Sequence, residues 1–258
     1  MNLHLTHIGT ATVLLEFGGW RILTDPAFDP PGGKYGFGFG TSSKKLLPPA
    51  IAAADLGRID LVLLSHDHHA DNLDTAGRQV LTKAATVVTT QSGARRLGGT
   101  TRGLAPWQSI ELKDGSGAVL KITATPARHG PPLSGPIVGD VIGFVLEWEG
   151  QQHGALYISG DTVLFAGVEE VGRRFKVGTA LLHLGGVAFP ISGPLRYTFN
   201  GAEAAQVITQ FNVRTAVPIH YDGWTHFREK REASEHSLHA VKDRVVWVRQ
   251  GDRVALAV

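Results

Sequence analysis

The sequence predicts an α/β fold, and three observations carry that prediction. Near the amino terminus, alternating apolar runs meet at Gly18-Gly19, which reads as a β-hairpin. Further on, short apolar runs alternate with helix-like stretches, the rhythm of strand–helix units. Several of these runs stop at histidine or aspartate, at the carboxyl ends where an α/β sheet builds its ligand sites.

Leu3, Leu5 and Ile8 lead into an apolar run at 12–17, which pairs across Gly18-Gly19 with 20–24 as the two arms of the hairpin, closed by Asp25-Pro26. Residues 28–50 are rich in glycine, proline and aromatic side chains and are too long for a compact connection. A lid or insertion loop is expected there, with a disordered excursion as the plain alternative. Within it, Tyr35, Phe37 and Phe39 fit either a hydrophobic lid or an edge hairpin. Residues 59–64 read as a buried strand, 73–83 as a helix, 86–89 as a strand and 91–97 as a short helix. Strand pairs at 110–112 with 119–124, and at 141–148 with 155–159, flank glycine-containing turns. Residues 179–184 and 214–219 are further strands. Between them lies a helix opened by Asn200, with Glu203 three residues on, and continuing to about Phe211. Residues 228–242 read as a solvated helix, and 245–248 and 254–258 as closing strands.

Composition narrows the chemistry. Of 258 residues, 43% are hydrophobic and 19% charged, which excludes a disordered chain. No apolar run approaches the ~20 residues that span a bilayer, so membrane insertion is not expected. A formal charge of +2 gives no support for a nucleic-acid partner. With no repeat and no linker, residues 1–258 read as a single domain. The opening MNLHLTHIGT has neither a basic nor a long apolar stretch, so a cytoplasmic location is expected. Cysteine is absent and histidine occurs twelve times, so any metal or acid–base site must be built from imidazole and carboxylate.

The chemistry-bearing fragments follow apolar runs: Ser65-His66-Asp67-His68-His69-Ala70-Asp71-Asn72, Arg128-His129-Gly130, Gly160-Asp161-Thr162 and Ile219-His220-Tyr221. Nitrogen and carboxylate donors of this kind suit zinc, and also manganese or iron. His66 and His68 are two apart, and in extended backbone they point to one face, where both rings can bind one ion. Asp71, three residues further and near the next helix, can aim at a neighbouring ion.

The order of these fragments resembles the metallo-β-lactamase superfamily, whose pattern is His-x-His-x-Asp-His, a distant His, an Asp in a Gly-Asp-Thr-like turn, and a late His. His66, His68, His129, Asp161 and His220 match it in order. The stretches around His7 to Glu16 and Leu23 to Pro26 also look like the branch of L-ascorbate-6-phosphate lactonase and N-acylphosphatidylethanolamine phospholipase D. The resemblance implies a four-layer αββα sandwich and a metal-dependent hydrolase acting on a small-molecule ester, lactone or phosphodiester. It also implies one or two divalent ions, zinc foremost, held by His66, His68, His129, Asp161, Asp71 and His220. Asp71 would orient water, and His183 is the candidate proton donor to the leaving group. The alternatives are a nuclease-type phosphodiesterase and a non-catalytic metal-binding or sensing domain.

The first motif departs from the family. Ala70-Asp71-Asn72 stands where the pattern has Asp at 70 and His at 71. Either one residue is inserted and Asn72 replaces the His, or the register holds and Asp71 does. Both readings predict a filled first site and a weaker second one, with His69 or His183 as compensating ligands. His7 and Asp25 read as supporting residues, and Asp67 as a supporting or capping one. His4, His153, His226, His236 and His239 read as structural or merely exposed, and the pairs Lys44-Lys45 and Arg95-Arg96 as solvated. Tyr221 and Trp224 fit either the pocket or the core. Oligomeric state is not legible.

Overall fold

The structure is a computed structural model describing residues 2–38, 40–132 and 134–258. The chain opens with the antiparallel strands β1 (Asn2–Gly9), β2 (Thr12–Phe17) and β3 (Trp20–Thr24). A separate small hairpin follows, β4 (Lys34–Gly36) with β5 (Ser42–Lys44). Then come β6 (Leu61–Leu63), α1 (Thr75–Leu81), β7 (Thr86–Thr90), α2 (Gln91–Leu97) and β8 (Thr101–Leu104), with β6, β7 and β8 parallel. The antiparallel run β9 (Ser109–Lys113), β10 (Val119–Pro126), β11 (Ile142–Trp148) and β12 (Ala155–Ile158) is interrupted by the short α3 (Gly135–Val138). The chain closes through α4 (Ala166–Arg174), β13 (Val177–His183), α5 (Gly201–Gln210), β14 (Thr215–Ile219), α6 (Arg231–Ser237) and β15 (Arg253–Ala257).

These strands form a seven-stranded sheet, β15-β1-β2-β3-β6-β7-β8, and a six-stranded sheet, β14-β13-β12-β11-β10-β9. The central strands alternate between two cores, which is why they read as continuous apolar runs. Leu61 and Leu63 of β6 enter the core between the sheets, while Val62 faces outward with Val80 and Leu81 of α1. Leu181 of β13 likewise points between the sheets, and Ala180 and Leu182 pack outward against Val207 and Ile208 of α5. Helices thus cover both outer faces, giving the αββα order. Among the described residues, no helix is long and apolar enough to cross a membrane.

Most elements form where the sequence places them. Asn200 and Glu203 cap α5 reciprocally, each side chain taking the other's backbone N–H at 2.9 and 3.2 Å. The strand expected at 245–248 makes only one bridge, Val245 to Ala216. The helix expected at 228–242 breaks at Leu238, which turns into the outer core, and a 3₁₀ segment follows at His239–Arg244. The short α3 had no sequence signal, and neither did two further elements. β8 (Thr-Arg-Gly-Leu) is a largely polar edge, and α4 starts at Phe165 without a side-chain cap.

The 28–50 segment is tied down as a docked hairpin. Lys45, read from the sequence as solvated, is buried, and its Nζ donates to Asp74 Oδ2 at 2.9 Å and to the Ala27 carbonyl at 3.0 Å. Asp74 also caps α1 through Gly77 and accepts from the Phe28 and Asp29 amides. Of the three aromatic residues expected as a lid, Tyr35 and Phe37 pack against Trp224. Phe39 lies outside the described residues.

Candidate metal centre

The site sits where strands from both sheets end. Asp25 follows β3, the His66-to-Asn72 loop follows β6, His129 follows β10, Asp161 follows β12, His183 ends β13 and His220 follows β14. Gly160 takes a φ of +60° just before Asp161, and a side chain there would strike the Ile142 carbonyl, so only glycine delivers Asp161 here. His220 itself has φ +60°, held by its N–H bonding to the Thr10 carbonyl at 2.9 Å. His7 supports that turn from behind, with Nε2 3.2 Å from the same carbonyl.

Two triplets able to hold a metal ion result, His66/His69/His129 and Asp161/His183/His220, all buried, with donor atoms within 4.8 Å of each other in each. In the first, His66 Nε2 and His129 Nε2 each lie 3.1 Å from His69 Nδ1. Their other nitrogens are occupied. His129 Nδ1–H donates to the Tyr197 carbonyl at 2.7 Å, and His66 Nδ1–H to Ser65 Oγ at 2.9 Å. Ser65 passes this on to Asp25 Oδ1 through its hydroxyl at 2.9 Å and its amide at 2.7 Å. Such outer partners fix the tautomer and leave the inward nitrogen free as a ligand. Burial, and then the neighbouring imidazoles, push His66 well below the usual histidine range and His69 down to about 3, so both rings stay neutral.

In the second triplet, His183 Nδ1–H donates to Asp161 Oδ1 at 2.9 Å, and His220 Nε2 lies 3.7 Å from Asp161 Oδ2. Burial disfavours the Asp161 carboxylate, but His220, His183 and His129 outweigh it and hold it far below its usual range. The same pairing reverses the sign at His220. Burial lowers it, yet Asp161 and Asp71 raise it to about 9.

Asp71 and Asn72 join the two triplets. Asn72 donates to Asp161 Oδ2 at 2.9 Å and touches the His66 ring at 3.3 Å. Asp71 Oδ2 lies 3.3 Å from His220 Nε2 and 3.0 Å from His226 Nε2. Asp25 Oδ2, Asp71 Oδ1, Asn72 Oδ1, His183 Nε2 and His220 Nε2 are buried without a hydrogen-bond partner. Each such atom costs ~1–3 kcal/mol in a closed interior. Five in one place, all nitrogen or oxygen donors, fit coordination of divalent cations.

The structure brings together His66, Asp71, His129, Asp161 and His220 of the expected set, and it places His68 elsewhere. The His68 ring is partly exposed, 3.6 Å from Asp67 and laid over Gly139. The reason is local. β6 ends at Leu63, and the chain then turns, with the Asn72 and Leu73 amides both bonding to the His69 carbonyl. The two-residue alternation of a strand therefore does not apply, and the third residue on, His69, comes back beside His66. Asp67 supports the turn from outside through a two-pronged pair with Arg96 at 2.6 and 2.8 Å, so Arg96 is not merely solvated.

His183, expected as a proton donor, is fully buried behind Asp161 and off the cavity wall. His226, expected to be ordinary, is buried against Asp71 on one side and Ser43 Oγ at 2.5 Å on the other. Its one sequence signal is position, six residues after His220 across a Gly223-Trp224 turn. Trp224 packs beneath Phe37, and Tyr221 packs outward against Trp247. Above the first triplet opens a cavity of about 260 Å³, with His69, Asp71, His129 and His226 at its floor and Phe37 and Phe189 on its walls.

Two sheets face to face, with histidines and aspartates gathered at their strand ends, define a metallo-hydrolase architecture. The pattern of the Beta-lactamase superfamily domain matches residues 20–221. A UPF0173 metal-dependent hydrolase from Methanoregula boonei is 33% identical over 86% of this chain and 83% of that protein. Another from Caldivirga maquilingensis is 27% identical over 99% of both. Among solved structures, an isothiocyanate hydrolase from Delia radicum gut bacteria superposes with a TM-score of 0.82 at 22% identity, over 99% of this chain and 100% of that one. A metallo hydrolase from Ignicoccus hospitalis does so at 0.73 and 21%, covering both chains fully. The chain belongs to the β-lactamase superfamily and, within it, to the UPF0173 metal-dependent hydrolases.

Proposed function

We propose that this hydrolase cleaves an ester, lactone or phosphodiester of a small molecule by attack of water at the centre described above. The observation that carries the reading is the convergence of six donor side chains into two buried triplets beside an open cavity. His66, His69 and His129 would hold one ion and Asp161, His183 and His220 the other. Zinc is the proposed ion, since three imidazoles form a familiar zinc set, although manganese and iron accept the same donors. A divalent ion, when bound, brings the pKa of water towards ~7 and polarises the oxygen under attack.

The remaining chemistry belongs to the chain. Asp71 reaches the cavity floor with Oδ2 bonded to His226 and 3.3 Å from His220 Nε2, and Oδ1 has no hydrogen-bond partner. That free oxygen is placed to accept a proton from the attacking water. His226, braced by Ser43, keeps the carboxylate turned this way. Metal analysis of purified protein, with turnover of p-nitrophenyl esters, a lactone panel and bis(p-nitrophenyl) phosphate before and after chelation, tests the proposal. One or two ions per chain and chelator-sensitive hydrolysis are expected. Metal-loaded protein that turns over none of these substrates would refute it.

A further inference from the structure

Resting on that hydrolytic reading, we infer that the cavity selects an uncharged substrate with a compact apolar group beside the scissile carbonyl, and that it rejects anionic and polyanionic substrates. The argument comes from the walls rather than the floor. Phe37 and Phe189 stand 5.6 Å apart, and Val187, Ile191 and Leu195 continue the apolar surface outward. Among the described residues, no lysine or arginine lines the cavity. The nearby cations lie elsewhere, Arg128 among them, which sits over the Phe165 ring and lines a separate cavity. Lys45 is buried on Asp74, Arg196 pairs with Glu203, and Arg228 donates to the Ala188 carbonyl. A site for a phosphorylated sugar or a nucleic-acid strand would present arginine or lysine to the flanking charge, and this wall has none to give.

Two further observations agree. A volume of about 260 Å³ falls below the ~300–1,000 Å³ typical of drug-sized ligands, so the group is compact. Ile191 and Leu195 at the rim are 76% and 46% exposed, among the few large apolar side chains left in solvent. A bound apolar group would cover them. Each methylene it buries is worth a roughly fourfold gain in kcat/KM.

The test uses metal-loaded protein and p-nitrophenyl esters from acetate to hexanoate, a length-matched p-nitrophenyl glutarate monoanion, and bis(p-nitrophenyl) phosphate. Binding of the inert ketone hexanophenone, followed by calorimetry, gives a readout independent of turnover. Expected are a steep rise with acyl length that levels once the cavity fills, a glutarate ester at least ~10-fold poorer than its neutral match, and ketone binding weakened by Ile191→Ser. Leu195→Lys, at an exposed position, should narrow the gap between anionic and neutral esters. A flat length series, an equally good anionic ester, or ketone binding that ignores both rim variants would overturn the inference. Turnover of the phosphodiester alone would also overturn it, while leaving the hydrolase reading intact. Ketone binding that is selective and rim-dependent, with no turnover of any substrate, would support the cavity's selectivity and refute the hydrolase reading instead.

Discussion

Replacing His69 and His68 separately by alanine gives the sharpest test of the first triplet. The sequence pattern alone favours His68 as the partner of His66. The structure puts His69 Nδ1 3.1 Å from both His66 Nε2 and His129 Nε2, while the His68 ring lies partly exposed over Gly139. A tight zinc site is worth ~10–16 kcal/mol over four ligands, or about 2.5–4 kcal/mol each. His69→Ala should therefore weaken metal binding by ~10²–10³-fold. His68→Ala removes a ring that touches no ligand, and should change affinity by no more than about twofold, the range of a surface substitution. Competition against a fluorescent chelator measures both constants, and circular dichroism of the metal-free variants shows whether each keeps its fold. If His68→Ala costs more affinity than His69→Ala in folded protein, the turn geometry after β6 is not what sets the ligands.

Removing the brace behind Asp71 should lower kcat more than it moves KM. His226→Ala is expected to cost ~10–100-fold and Ser43→Ala less, and unchanged steady-state kinetics in His226→Ala would refute the positioning role. Lys45→Met strands the buried Asp74 carboxylate, so urea denaturation should show a loss of about 3–5 kcal/mol, and a loss under ~1 kcal/mol would mean the hairpin is held by other contacts. Metal-free protein should lose stability as pH falls below 6.5, because His66, His68, His69 and His183 are depressed and the unfolded chain takes protons that the folded one refuses. The raised acids Asp25 and Asp222 act in the opposite sense but are fewer, and the contribution of His220, raised to about 9, is already complete below 6.5. Urea midpoints at pH 7.5, 6 and 5 follow the effect, and a midpoint that rises on acidification would contradict the sign.

Legibility of the fold in the sequence followed burial. Strands buried on two faces, such as β6 and β13, and the capped α5 carry strong local signals, so their place was plain. β8 escaped because an edge strand needs no apolar run, and α4 because neither a cap nor a long periodic stretch marks it. At the site, His220 follows β14 directly and His129 and Asp161 stand three residues past β10 and β12, and those strand ends could be located. The first motif was harder, since the choice between His68 and His69 turns on where β6 stops, a boundary of one or two residues. His226 and Lys45 were misread for a different reason. Their burial comes from partners more than 25 residues away, His226 on Ser43 and Asp71 and Lys45 on Asp74, and no local pattern encodes such contacts.

The geometry of this centre agrees with the reading that inserts one residue in the first motif. His66-x-x-His69 replaces a two-residue spacing, and the surplus is absorbed outward, with Asp67 clasped by Arg96 and His68 laid on Gly139. From His69 onward a His-x-Asp spacing stands and Asp71 reaches the floor, the arrangement expected if one residue is inserted and Asn72 takes the histidine's place. Asn72 does not mimic an imidazole ligand. Its amide donates to Asp161 and lies along the His66 ring, which makes it a spacer between the triplets. In the reading proposed above, the imidazole comes from His183, at the end of β13, hydrogen-bonded to Asp161. The second triplet is thus furnished from a different strand and keeps three donors, as many as the first. The two triplets differ in charge, with three imidazoles in one and a carboxylate held ionised in the other.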